Sequence, residues 1–142
     1  MGKERKTLPS VRFTISPEEV AEFADAIGDP SPVYRDARAA RAAGYEAQIA
    51  PPTFSMRMQI RFAHEIAALE GVPWSTILHG DQEYEQLAPL VAGRTYDARA
   101  FEVGLRGRPP TRFLTIETDI SDPETGEVVQ RSRSTLIARD EA

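Results

Sequence analysis

Apolar positions in residues 53–70 are spread too widely for a helix that lies on a surface. At about 100° per residue, Met56, Met58, Ile60, Phe62, Ala63, Ile66, Ala67 and Leu69 fill an arc of roughly 200°. Arg57, Arg61, His64 and Glu65, with Ala68 among them, make up the narrow polar strip that remains. Such a helix needs cover on most sides, and the chain after it reads as strands. Residues 76–86, 94–106, 111–121 and 127–139 are the candidates, the third clearest, with Leu114, Ile116, Thr118 and Ile120 alternating with Phe113, Thr115, Glu117 and Asp119. The segment Asp122-Pro123-Glu124-Thr125-Gly126 predicts a hairpin turn between the last two.

Before the long helix, Val11, Phe13 and Ile15 alternate with Arg12 and Thr14 as in a short, half-buried strand. Ser16-Pro17-Glu18-Glu19 then supplies a capping hydroxyl, a proline at the first helical position and acid near the positive helix end. These residues open a helix over 17–26, with Val20, Phe23, Ala24 and Ile27 inward. Gly28-Asp29-Pro30-Ser31-Pro32 must be a stiff loop, since its prolines lack N–H donors. Residues 36–43 form a short helix closed by Gly44, and Pro51-Pro52 opens the long one. Strand, helices and a four-stranded antiparallel run together define an α+β fold, a long helix held in a curved sheet.

The 142 residues suit one domain, placed at 11–139 with loose tails at 1–10 and 140–142. A net charge of -5 argues against a nucleic-acid or anionic-membrane partner. No cysteine is present, which excludes disulfides, thiolate nucleophiles and cysteine metal sites. The basic start of the chain lacks the apolar core of an export signal, and no run is long enough to span a membrane, so a cytoplasmic location is expected.

Candidate chemistry collects in Gly28-Asp29-Pro30-Ser31-Pro32-Val33-Tyr34. With Ala50-Pro51-Pro52-Thr53-Phe54, Leu78-His79-Gly80-Asp81-Gln82-Glu83-Tyr84, Pro89-Leu90-Val91-Ala92-Gly93, Gly126-Glu127-Val128-Val129 and Thr135-Leu136-Ile137 in the same order, this resembles the MaoC-like hot-dog dehydratases. The resemblance covers residues 11–139. It implies a hot-dog fold and addition of water to a trans-2-enoyl thioester, or its removal from a (3R)-3-hydroxyacyl thioester, with no cofactor beyond the coenzyme A or acyl carrier protein that carries the substrate. In that family an Asp and a His activate water, and N–H groups at the start of the central helix receive the thioester oxygen. Such chemistry needs a base near neutral pH and fixed donors where enolate charge grows.

Three positions depart from the family pattern, which reads approximately Gly-Asp-x-Asn-Pro-x-His. Asp29 matches, but Ser31 replaces Asn, Tyr34 replaces the catalytic His, and Pro52 stands near a glycine whose N–H would face the thioester. Forming a tyrosinate at pH 7 costs about 4 kcal/mol, given a phenol that titrates near 10 against about 6.5 for an imidazole. Tyr34 can donate a hydrogen bond but is a poor base, and it joins Asp29 as a candidate catalytic residue in that donor role. Donors at Thr53 and Phe54 remain. The departures resemble those of the non-catalytic subunit of heterodimeric (3R)-hydroxyacyl dehydratases and of the amino-terminal half of double-hot-dog forms. The resemblance thus implies a substrate-binding chain with a second, catalytic hot-dog subunit as its partner. A homodimeric hydratase relying on Asp29, or an acyl-thioester scaffold without turnover, stays open as an alternative.

Other positions carry two readings each. Asp29 fits catalysis or a plain Asx turn, Ser31 substrate contact or a turn, and Tyr34 acyl contact or packing. Gln59 projects from the middle of the apolar arc, where it faces a substrate tunnel or the partner subunit, or is a satisfied core amide. His79, Asp81 and Glu83 would share one face of a regular strand with metal-compatible spacing, although a solvated strand edge explains them equally and no metal is expected. Glu65 falls in the polar strip, on the helix where hot-dog thioesterases place an acid.

Overall fold

A computed structural model describes residues 6–139. The chain runs β1 (Val11–Thr14), α1 (Pro17–Ala26), α2 (Ala37–Ala42), α3 (Met56–Leu69), β2 (Ile77–Gln86), β3 (Thr95–Arg108), β4 (Thr111–Ser121) and β5 (Val128–Arg139). All five strands form one antiparallel sheet in the order β1-β3-β4-β5-β2, with α3 as the long helix packed on it. The hairpin expected between β4 and β5 is present, and Gly126 takes the positive φ of 76° that its turn demands.

α1 starts where the sequence places it. The Ser16 hydroxyl accepts from the Glu19 N–H at 3.1 Å, and the Ser16 N–H donates back to the Glu19 carboxylate at 3.2 Å. That backbone bond holds the Glu19 carboxyl below the usual carboxylate range. Val20 and Ala24 then turn inward, while Ile27, expected with them, is exposed because it caps the helix where the chain leaves.

Phe62 and Ile66 of α3 are fully buried, in one core with Ala98 and Ala100 of β3, Leu114, Ile116 and Ile120 of β4, and Leu136 and Ala138 of β5. Burial of each large side chain contributes about 1.5–3 kcal/mol. The arc is narrower than its projection, since Ile60 and Leu69 are 51% and 61% exposed. A single-layer sheet covers the Phe62 side of α3 and leaves the Ile60 side open. The helix also begins later than expected, its first turn being a tighter 3₁₀ turn over Pro52–Ser55.

Within the stretch expected as a loose tail, residues 6–8 pair with the sheet, while 1–5 and 140–142 lie outside the described residues. β1 covers only part of the longer β3, and the chain before it pairs with residues 100–102 beyond it. Leu8 N–H donates to the Ala100 carbonyl at 3.2 Å, Glu102 N–H donates to the Lys6 carbonyl at 2.8 Å, and the Leu8 side chain is buried in the core.

Candidate functional site

The loop after α1 is built around one carboxylate and one guanidinium. Gly28, at a φ of 72°, turns the chain so that Asp29 N–H reaches the Ala24 carbonyl at 2.9 Å. The Asp29 Oδ1 then accepts from Ser31 N–H at 3.0 Å, an Asx turn. Arg35 donates to the Asp29 carbonyl at 2.6 Å, to the Ser31 carbonyl at 2.9 Å and to the Asp25 carboxylate at 2.6 Å. Prolines cannot donate, so this loop is fastened largely by a side chain.

Pro32–Tyr34 is a 3₁₀ turn that carries Tyr34 against the core, half-buried. Burial, and then the charge of Asp29, raise the Tyr34 phenol above its ordinary value of 10. The two residues therefore sense each other, and their proximity makes tyrosinate harder to form. Buried Gln48 fixes the turn from behind, donating to the Tyr34 carbonyl at 2.7 Å and the Pro17 carbonyl at 3.1 Å.

At the start of the central helix the donors expected of Thr53 and Phe54 part company. Phe54 N–H is committed to the Pro51 carbonyl at 2.9 Å. Its buried ring meets Phe23 edge-on at 5.5 Å, with the Arg57 guanidinium over it at 4.7 Å. Phe54 thus packs with its ring and has its N–H engaged within the turn. Pro52 has no N–H. Thr53 is exposed, and among the described residues its N–H meets no acceptor.

Behind this turn runs a polar chain whose middle, Ser55, Gln59 and Gln130, is buried. The Tyr84 hydroxyl donates to the Gln59 Oε1 at 3.0 Å, and the Gln59 Nε2 donates to the Ser55 Oγ at 2.9 Å. The Ser55 hydroxyl donates to the Gln130 Oε1, and the Gln130 Nε2 donates to the Pro52 carbonyl and the Gln86 Oε1, both at 2.7 Å. Gln59 is thus a satisfied amide. It also lines a cavity of about 340 Å³ between α3 and the sheet edge, with Ile60, Trp74, Ile77, His79 and Leu136.

Sequence reasoning missed Arg35, Gln48, Ser55 and Gln130. A signal existed for the last, because Gln130, Ser132 and Ser134 occupy the inward register of β5 and are buried. The alignment of His79, Asp81 and Glu83 is corrected. A bulge after His79 adds one residue to β2, so His79 shares the inner side with Gln82, 3.0 Å from it, while Asp81 and Glu83 take the outer side. His64 is exposed and its ring meets that of Trp74 at a tilt of 42°, with centroids 4.8 Å apart, and Glu65 lies 3.7 Å from Arg61.

A curved antiparallel sheet on a central helix, with an Asp-bearing loop beside it, is the architecture of a hot-dog dehydratase. The family model for the FAS1-like dehydratase domain region matches residues 4–131. A UPF0336 protein of Saccharopolyspora erythraea is 36% identical over 141 residues, covering 97% of this chain and 89% of the relative. One chain of the Mycobacterium tuberculosis HadBC (3R-hydroxyacyl-ACP dehydratase) complex superposes with a TM-score of 0.81 at 23% identity, covering 95% of both chains. A MaoC-like dehydratase gives 0.84 at 24% identity, over 96% of this chain and 41% of that one. The chain belongs to the FAS1-like, MaoC-related family of hot-dog dehydratases and is also related to UPF0336 proteins.

Proposed function

We propose that this chain is the substrate-binding half of an (R)-specific enoyl-thioester hydratase or (3R)-3-hydroxyacyl-thioester dehydratase, and that a second hot-dog subunit supplies the base. The observation that carries the reading is Tyr34. By the resemblance Tyr34 takes the place of the family's imidazole; burial, and then the charge of Asp29, raise this phenol above 10, and it cannot take a proton from water near neutral pH. One oxygen of Asp29 is already spent on Ser31 N–H, so this carboxylate orders the loop first.

In this reading Thr53 N–H and the Ser31 region approach the thioester, Tyr34 donates a hydrogen bond, and the cavity beside Gln59 receives acyl carbons. Coenzyme A or an acyl carrier protein brings the acyl group. The structural neighbour from a HadBC complex supports a partner of the same fold.

The test is hydration of crotonyl-CoA and longer enoyl-CoAs. The purified chain alone is expected to be nearly silent, and adding a hot-dog partner with an intact Asp and His should restore turnover. Turnover by the chain alone near that of ordinary hydratases overturns the reading in favour of a self-sufficient homodimer. Silence in the presence of a competent partner favours a scaffold.

A further inference from the structure

β2 ends the sheet, pairing with β5 on one side only, so its other row of N–H and C=O groups is open to another strand. After the bulge its outer face carries Asp81, Glu83 and Glu85, all exposed. Glu83 lies opposite Arg133 of β5, and Glu85 opposite Arg131. β4 in turn sets Glu117 against Arg133 and Asp119 against Arg131, and β3 sets Arg99 against Asp119. Charge therefore alternates from strand to strand, and the series ends on acid at the rim.

The guanidiniums between these rows lean inward. Arg133 bonds Glu117, and Arg131 lies 3.5 Å from Asp119. The rim acids are exposed and have no further strand beside them, and the next strand of the series would be basic. Along the inner side of the same strand runs the apolar cavity, with Ile60 and Trp74 at its mouth 51% and 39% exposed.

We infer that β2 docks the edge strand of a different polypeptide, one that carries Lys or Arg at alternate positions, and that the acid row excludes a second copy of this chain. This rests on the two-subunit reading above and adds the rule by which the partner is chosen. Antiparallel self-pairing centred on Glu83 sets it against its own copy and sets Asp81 against Glu85. A shift by two residues sets Asp81 against Glu83, or Glu83 against Glu85. An odd shift puts the two central helices on opposite sides of the joined sheet and separates the two apolar cavities. Each of these three registers, which keep the cavities together, therefore opposes like charges, which is unfavourable across strands.

The experiment needs no knowledge of the natural partner. Wild-type chain and the D81K/E83K/E85K variant are each expected to run as monomers at micromolar concentration. Mixed in equal amounts they should give a one-to-one pair by native mass spectrometry. A Glu83→Gln/Glu85→Gln variant, which keeps the fold if the rim is only a docking edge, should self-associate about 10-fold more tightly than wild type. Wild-type self-association should also strengthen as salt screens the rim. A wild-type homodimer stable at physiological salt and unmoved by the Gln pair, or a mixture that stays monomeric, overturns the inference. If that homodimer does not hydrate crotonyl-CoA, only the partner rule falls; if it does, the substrate-binding-half reading falls with it.

Discussion

The Gln130 Nε2 donates to the Pro52 carbonyl at 2.7 Å, across a sequence separation of 78 residues. One fully buried amide on β5 thereby fastens the sheet to the turn that opens the central helix. Replacing it with leucine takes the donor from the part-buried Pro52 carbonyl and the acceptor from the buried Ser55 hydroxyl, which keeps only its bond from Gln59, while the exposed Gln86 amide can turn to water. Gln130→Leu is expected to lower stability by about 2–4 kcal/mol, at about 1–3 kcal/mol for each buried group left unpaired. Urea unfolding measures it, and a loss below about 1 kcal/mol would show that the stranded groups find other partners.

Arg35 should matter to the loop more than to the whole molecule. Its donors reach the carbonyls of Asp29 and Ser31 and the carboxylate of Asp25, a fork that a lysine ammonium cannot reproduce. Arg35→Ala is expected to cost about 1–2 kcal/mol and to speed amide exchange at Ser31, and Arg35→Lys should recover little of either. Unchanged exchange at Ser31 in Arg35→Ala would show that the Asx turn stands alone.

Tyr34→His returns an imidazole to a position beside Asp29. Hydration of crotonyl-CoA should rise by about 10²-fold over the unmodified chain, at the low end of what general acid–base catalysis provides. Adding Asp29→Asn should abolish the gain. A Tyr34→His chain as silent as its parent would place the deficit at the helix start, where Pro52 withholds a donor.

Tyr34, Tyr84 and Tyr96 are each raised above 10, with burial the first cause in every case. The folded state therefore holds these protons more tightly than the unfolded one. Their contribution to stability is complete below pH 10 and is lost as pH climbs through the folded-state values. Alkaline titration at 295 nm should show phenolate forming late, together with unfolding. Three tyrosines ionising near 10 in a chain still folded by circular dichroism would contradict the burial.

Local chemistry was readable from residue order because it acts over a few positions. Ser16 and Glu19 cap α1 within three residues, Leu114 to Ile120 alternate in β4, and Gly126 closes the hairpin. The long helix was visible from its apolar arc, and the loop that carries Asp29 and Tyr34 from its prolines. These features suffice for the α+β class and for the family resemblance.

Only the tertiary structure decided which faces meet. It exposed Ile60 and Leu69, because one sheet layer covers one side of a helix. It drew Leu8 into the core, because β3 outruns β1. It removed His79 from the row of Asp81 and Glu83, because a single bulged residue reverses alternation. It also spent Phe54 N–H on Pro51 and joined Ser55, Gln59 and Gln130 into one buried chain. Helix and strand periods are properties of neighbours in sequence, whereas a donor finds its acceptor, and an edge its row of charge, only when distant segments are brought into register.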